Sequence, residues 1–215
     1  MKNLFYIPLF LLFVTACSQK TIDCKCFHGI GSSEKDTPIQ TIMFSNRKSV
    51  SVCGYKDNDL ISEFNVFDCE TGESLAEYGA LSSCLINFQD DKLIITEVLS
   101  LPNNENWEYK NVPFAEEVVK PDGNNLMVEK QKPLKITLNV SEQEQNEYLN
   151  TLEPLNLKTE EITEDLLFRL ELMALGGNQK AEIILRNMEN VYSLDGHAKE
   201  IYNSAIEHID FIRNK

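Results

Sequence analysis

Histidine and tryptophan are scarce in this chain: 215 residues hold three histidines, His28, His197 and His208, and one tryptophan, Trp107. No His-Glu-x-x-His occurs, so the common zinc-protease arrangement is excluded. There is no Gly-x-Ser-x-Gly elbow, phosphate-binding loop or dinucleotide fingerprint. Gly29-Ile30-Gly31 lacks a third glycine and the flanking strand and helix such a loop needs. Basic residues are also few: Lys and Arg total 20 against 34 Asp and Glu, a formal net charge of −14. Such a surface repels phosphate backbones and anionic headgroups, which argues against nucleic acid as a partner. His197 and His208 fall on one predicted helix about 16 Å apart, too far to act together. The acidic stretches Asp57-Asn58-Asp59 and Asp90-Asp91 offer oxygen ligands, but neither completes a calcium loop. They read as solvated turns.

What is present begins at the first residues. Lys2 is followed by a nearly unbroken apolar run from Leu4 to Val14. That run is shorter than the about 20 residues a spanning helix needs. It has the length of a signal-peptide core, with small residues after it. Val14-Thr15-Ala16-Cys17 resembles the lipobox of bacterial lipoproteins. The resemblance implies cleavage after Ala16, lipidation of Cys17 and attachment to a membrane through the lipid. By resemblance to the sorting rule of Gram-negative lipoproteins, Ser18 in place of aspartate implies the outer membrane, facing the periplasm. Lys2 is the only charged residue of segment 1–16, so its removal takes the net charge from −14 to −15. Two acyl chains anchor stably without electrostatic help.

Five further cysteines, Cys24, Cys26, Cys53, Cys69 and Cys84, all lie in the first half of the chain. Export places them where disulfides persist. Five is odd, so at least one thiol stays unpaired in a monomer, and two bridges can be drawn in fifteen ways. Cys24, Cys26 and His28 alternate, so in an extended segment they could converge on one ion. No second Cys/His cluster supplies a fourth ligand, and a disulfide from Cys24 or Cys26 into the following domain explains the cluster more simply. No metal ligand and no cofactor is expected.

Residues 17–36 read as the lipidated cysteine and a tether. Residues 37–140 read as short strands between turns. Thr41–Phe44 meets Ser49–Tyr55, Ile61–Asp68 meets Ser74–Tyr78, Cys84–Phe88 meets Leu93–Leu99, and Phe114–Val119 meets Leu126–Lys130. Pro121-Asp122-Gly123-Asn124 is the clearest turn, since proline presets φ and glycine admits positive φ. Leu134–Val140 alternates apolar and polar as a half-buried strand does. At Ser141 the period changes. Ser141-Glu142-Gln143-Glu144 fits a capping box for a helix to Leu152. Further helices are expected over Glu160–Leu175, capped by Thr159 and ended by Gly176-Gly177, then from Asn178 to Tyr192, and after Asp195-Gly196. Ala181, Ile184, Leu185, Met188 and Val191 share the apolar face of the third. The fold class is therefore α+β: a meandering antiparallel sheet or sandwich, then about four helices in residues 141–215, packed on the sheet.

Trp107 and Tyr109 sit in a polar stretch after Pro102-Asn103-Asn104. The favoured reading is that they begin a strand with both rings facing the core; as the alternative they are the candidate partner-binding residues, an exposed platform on a polar loop. The expected function is a lipid-anchored cell-envelope protein that binds another protein rather than an enzyme. A structural subunit of an envelope assembly, an immunity protein against a periplasmic toxin and an unrecognised hydrolase are the competing readings.

Overall fold

A computed structural model describes residues 24–26, 38–152, 163–192 and 194–214. Seven strands form one antiparallel sheet whose spatial order follows the sequence: β1 Gln40–Met43, β2 Ser49–Asp57, β3 Leu60–Asp68, β4 Ser74–Gln89, β5 Lys92–Leu101, β6 Lys110–Asp122 and β7 Asn125–Pro133. All four expected strand pairings are present; the last hairpin turns at Gly123-Asn124, one residue later than expected, with Pro121 in β6 opposite Leu126. Four helices follow: α1 Glu142–Leu152, α2 Glu164–Leu175, α3 Gln179–Val191 and α4 Gly196–Arg213. The fold is α+β, with one curled sheet, a half-barrel, where a sandwich would need two.

Bulges produce the curl, since each extra residue bends a strand and tightens its twist. The sharpest lies between β3 and β4. Ser62 pairs with Ser83 and Phe64 with Tyr78, so four residues of β4 stand against Glu63 alone. Glu63 takes φ 45° there. On the other side Gly54 faces the same point. A Cβ on Gly54 would lie 2.3 Å from the Phe64 Cβ and 2.7 Å from the Glu63 carbonyl oxygen, so only glycine lets β2 approach. The two strands expected at Ser74–Tyr78 and Cys84–Phe88 are consequently one bent 16-residue strand.

The curl carries the first hairpin onto the tips of later ones. The Ser45 N–H and hydroxyl both donate to the Asp91 carboxylate, at 2.8 and 2.5 Å. Asn46 Nδ2 donates to the carbonyls of Gly123 and Asn125, at 3.2 and 3.0 Å. Asp91 is thus a structural acceptor, in a turn where Asp90 and Asp91 both have positive φ as a primed hairpin turn requires. Inside the curl, Phe44, Val52, Phe64, Leu93, Ile95 and Val119 form a buried core, with Leu126 and Val128 of β7 against it.

Two disulfides staple the segment ahead of the sheet to it: Cys24 to Cys69 and Cys26 to Cys53. Ser51 Oγ also donates to the Lys25 carbonyl. Both members of the Cys24/Cys26 pair are therefore consumed by bridges, and neither thiolate is available to a metal. Among the described residues, Cys84 is the one free thiol, and it is fully buried.

The helices make a second core with the end of β5 and with β6. Leu101, Val112, Phe114 and Ala115 join Leu149, Leu167, Leu170, Leu185 and Ile209 there. Residues 134–139 keep the expected alternation, with Ile136 and Val140 buried, but they are not a strand. The Leu134 N–H still donates to the Phe114 carbonyl, and beyond it the partner is a side chain. Asn103 Nδ2 donates to the Thr137 carbonyl at 2.9 Å, and Asn103 Oδ1 accepts from the Asn139 N–H at 2.7 Å. Leu138 then packs on Gly176, where a Cβ would come within 2.4 Å of its methyl.

The capping box of α1 forms as expected: the Ser141 N–H donates to the Glu144 carboxylate at 2.8 Å and the Glu144 N–H to Ser141 Oγ at 3.2 Å. The cap of α2 is Thr163, whose Oγ1 accepts from the Leu166 N–H; the expected Thr159 lies outside the described residues. Gly177, at φ 100°, ends α2 in a Schellman turn closed by the Asn178 N–H on the Met173 carbonyl. Asn178 then caps α3. On α3, Ala181, Leu185 and Met188 are buried as expected, whereas Val191 is exposed.

Candidate functional site

The chain leaves β5 through Pro102 and Asn103 and makes one 3-10 turn, Glu105–Trp107, before β6 begins. Asn106 and Trp107 are both in the left-handed region, at φ 65° and 58°. Asparagine tolerates that region, but a bulky side chain does not, and each such residue costs on the order of 1 kcal/mol. Tertiary contacts hold Trp107 in place. Its ring lies 5.2 Å from that of Tyr148, on α1. The guanidinium carbon of Arg169, on α2, stands 4.9 Å from the Trp107 ring centre and 5.0 Å from that of Tyr148. Cation–π contacts of this kind contribute about 0.5–2 kcal/mol each.

Asp165 Oδ2 lies 2.8 Å from Arg169 Nε, one helical turn away. The contact is ionic and off the N–H axis, so the buried Nε donates no hydrogen bond. On the far side, the Tyr109 hydroxyl reaches Asp165 Oδ1 at 3.5 Å, and the Tyr109 ring meets Phe168 edge-on at 6.0 Å. Burial pushes the Tyr148 hydroxyl up to about 12, against the pull of Arg169. Tyr109 is raised too, by burial first and then by the Asp165 charge. Both phenols are therefore neutral donors at physiological pH. Tyr109 remains 46% exposed. Trp107 lies on a turn and not in a strand, yet its ring is partly buried and packs against the helical core as the core reading expects, while Tyr109 is open to solvent. Comparison with protein-family models, with curated proteins and with solved structures finds no match. The arrangement itself is what bears on function. Trp, Tyr and Arg are the residue types that dominate binding energy at protein interfaces. Here Trp107, Tyr109, Tyr148 and Arg169 come from a loop and two helices onto one patch.

Tyr148 and Arg169 could not be selected from the sequence. They lie 41 and 62 residues beyond Trp107 and meet it only through the packing of α1 and α2 on the sheet. The other candidates go elsewhere. Cys17 and His28 lie outside the described residues. His197 is exposed at the start of α4, near Glu164 and Glu200. His208 meets the buried Glu171, Nδ1 to Oε1 at 2.6 Å, against the Phe114 ring. Sequence reading missed that pair, although Glu171 is the one acid inside the apolar run Leu170–Leu175. The Asp57-Asn58-Asp59 turn is exposed, and Asp57 accepts from Asn58 Nδ2. Among the described residues, no group of three or more His, Cys, Asp or Glu is placed to hold a metal ion.

A second polar cluster lines the inside of the sheet. The Tyr78 hydroxyl donates to Glu117 Oε2 at 3.1 Å, and Gln131 Nε2 donates to Glu97 Oε2 at 2.7 Å. Burial raises the Glu117 carboxyl above its ordinary value, and the Tyr78 hydrogen bond partly offsets this. Burial, then Glu97 and Glu117, push the Cys84 thiol up to about 12. A thiol held protonated is inert, so Cys84 is a packing residue.

Proposed function

We propose that this protein is a lipid-anchored protein of the bacterial cell envelope, held in the outer membrane facing the periplasm, and that it works by binding another protein. The observation that carries the reading is the Trp107–Tyr148–Arg169 cluster, half-open and pre-assembled on a strained turn. Rigid aromatic anchors bind with little loss of side-chain freedom, and their neighbours exclude water from the contact. The lipobox-like Val14-Thr15-Ala16-Cys17 supports the address. The two disulfides support an oxidising compartment. Among the described residues, no helix is long and apolar enough to cross a membrane; the proposed attachment is the lipid on Cys17.

The test places a photoreactive residue at Glu108, exposed and extended between Trp107 and Tyr109, and irradiates native membranes. One partner, or a small set, should be captured. Tyr109→Ala, which removes an exposed ring without opening the core, and Trp107→Ala should each cut the yield, the latter by tenfold or more if it is an anchor worth about 2 kcal/mol. Unchanged capture in both variants, with melting temperatures near the parent's, would sink the reading.

A further inference from the structure

We infer that the Arg169 site seats a carboxylate of the partner protein, an inference that rests on the protein-binding reading above. Arg169 has three close neighbours. The Trp107 and Tyr148 rings lie side by side against its guanidinium, and Asp165 faces Nε. Among the described residues, neither terminal nitrogen of Arg169 donates a hydrogen bond, and its side chain is 23% exposed. The open edge is therefore the paired Nη groups, the fork that matches the two oxygens of a carboxylate. The two rings and Asp165 hold the side chain in place before anything binds, so little freedom is lost when the fork is filled. The rings also lower the local dielectric, which strengthens a charge-assisted hydrogen bond made there.

Charge balance favours a carboxylate over a phosphate. Asp165 already offsets part of the guanidinium charge, and the chain as a whole carries −14. A dianion would meet that field with one half-neutralised cation. A monoanion would meet it with one fork of the right width. Tyr109 and Phe168, edge to face beside Asp165, supply an apolar shelf for the peptide that bears the carboxylate. The strain at Trp107 fits the same purpose, since a left-handed tryptophan persists only where its surroundings over-determine it.

Trp107 is the only tryptophan, so its indole N–H gives one unambiguous NMR signal. The full chain, in detergent with both disulfides formed, is titrated at constant ionic strength with the blocked tripeptide Gly-Asp-Gly, with its Gly-Asn-Gly counterpart and with inorganic phosphate. The indole signal should move saturably with the aspartate peptide and stay still with the asparagine peptide. Arg169→Lys retains the charge but not the planar fork, and should weaken the response by about an order of magnitude with the fold intact. No movement up to tens of millimolar peptide, an equal response to the asparagine peptide, an equal response in Arg169→Lys, or a stronger response to phosphate each overturns the inference. Capture through position 108 with no carboxylate response would leave the protein-binding reading standing and remove this one alone. A carboxylate response without capture would support the site chemistry and count against that reading.

Discussion

Glu117 illustrates how one residue sets a pH dependence. It faces the inside of the curled sheet, where burial lifts its carboxyl above the ordinary 4.5 while the Tyr78 hydroxyl stabilises the ionised form. Burial is the larger effect. A carboxyl whose folded value is raised contributes most stability below its unfolded value, and that contribution declines as pH rises through the folded one. At neutral pH the Glu117 charge therefore costs stability. Glu117→Gln keeps an oxygen to accept from Tyr78 and removes the charge. Its thermal midpoint should exceed the parent's at pH 7.5, with the gap closing near pH 4. An equal offset at both pH values, or a lower midpoint at pH 7.5, would show that the charge is not what the site resists. The same burial keeps Cys84 a thiol, so it should resist alkylation while the sheet is folded.

At the scale of elements, what was legible was local. The hairpin turns announce themselves by Gly, Asn and Asp between alternating segments, and the capping box of α1 lies within four residues. What was illegible was made by distant contacts. Nothing near Gly79 signals that four residues will bulge and β4 will continue, because the cause is Gly54 and Glu63 on two other strands. Residues 134–139 carry a strand's alternation but pair with the Asn103 side chain, which stands in for a neighbouring backbone. The candidate site divides the same way: Trp107 and Tyr109 stood out as aromatics in a polar stretch, while Tyr148 and Arg169 reach it through helix packing. Asn103 is 4% exposed and ties this segment to the loop that carries Trp107. Asn103→Ala leaves the Thr137 carbonyl and the Asn139 N–H without their partner, at a cost of about 2 kcal/mol or more. Chemical denaturation should register that loss, and amide exchange at Asn139 should accelerate. A change below about 0.5 kcal/mol, ordinary for surface substitutions, would mean the extended segment is held by Leu138 and Ile136 packing alone.

For the whole molecule, the staple decides how the proposed anchor holds the domain. Cys24 lies seven positions after Cys17, a reach of at most about 25 Å. Because Cys24 is bonded to Cys69 and Cys26 to Cys53, that reach ends on the sheet itself, at β2 and the β3–β4 turn. Should the Ser51–Lys25 hydrogen bond open with the bridges gone, the next backbone tie to the sheet among the described residues is the Ile39 N–H on the Val52 carbonyl, at most about 75 Å from Cys17. The bridges thus shorten the leash roughly threefold, and they also close loops of 45 and 27 residues. In the chain-entropy model, closing the larger loop stabilises the fold by about 4 kcal/mol, with less added by the smaller loop nested inside it. A nitroxide at Thr71, exposed on the β3–β4 turn beside Cys69, should relax strongly against a paramagnetic metal chelated to lipid headgroups in reconstituted vesicles. Replacing all four bridging cysteines by serine should lower that relaxation severalfold, provided circular dichroism still reports a folded sheet. Cys17→Ser should abolish it by releasing the protein from the vesicle. If Thr71 relaxes equally with and without the bridges while the protein stays bound through Cys17, the disulfides serve stability alone and do not position the domain above the bilayer.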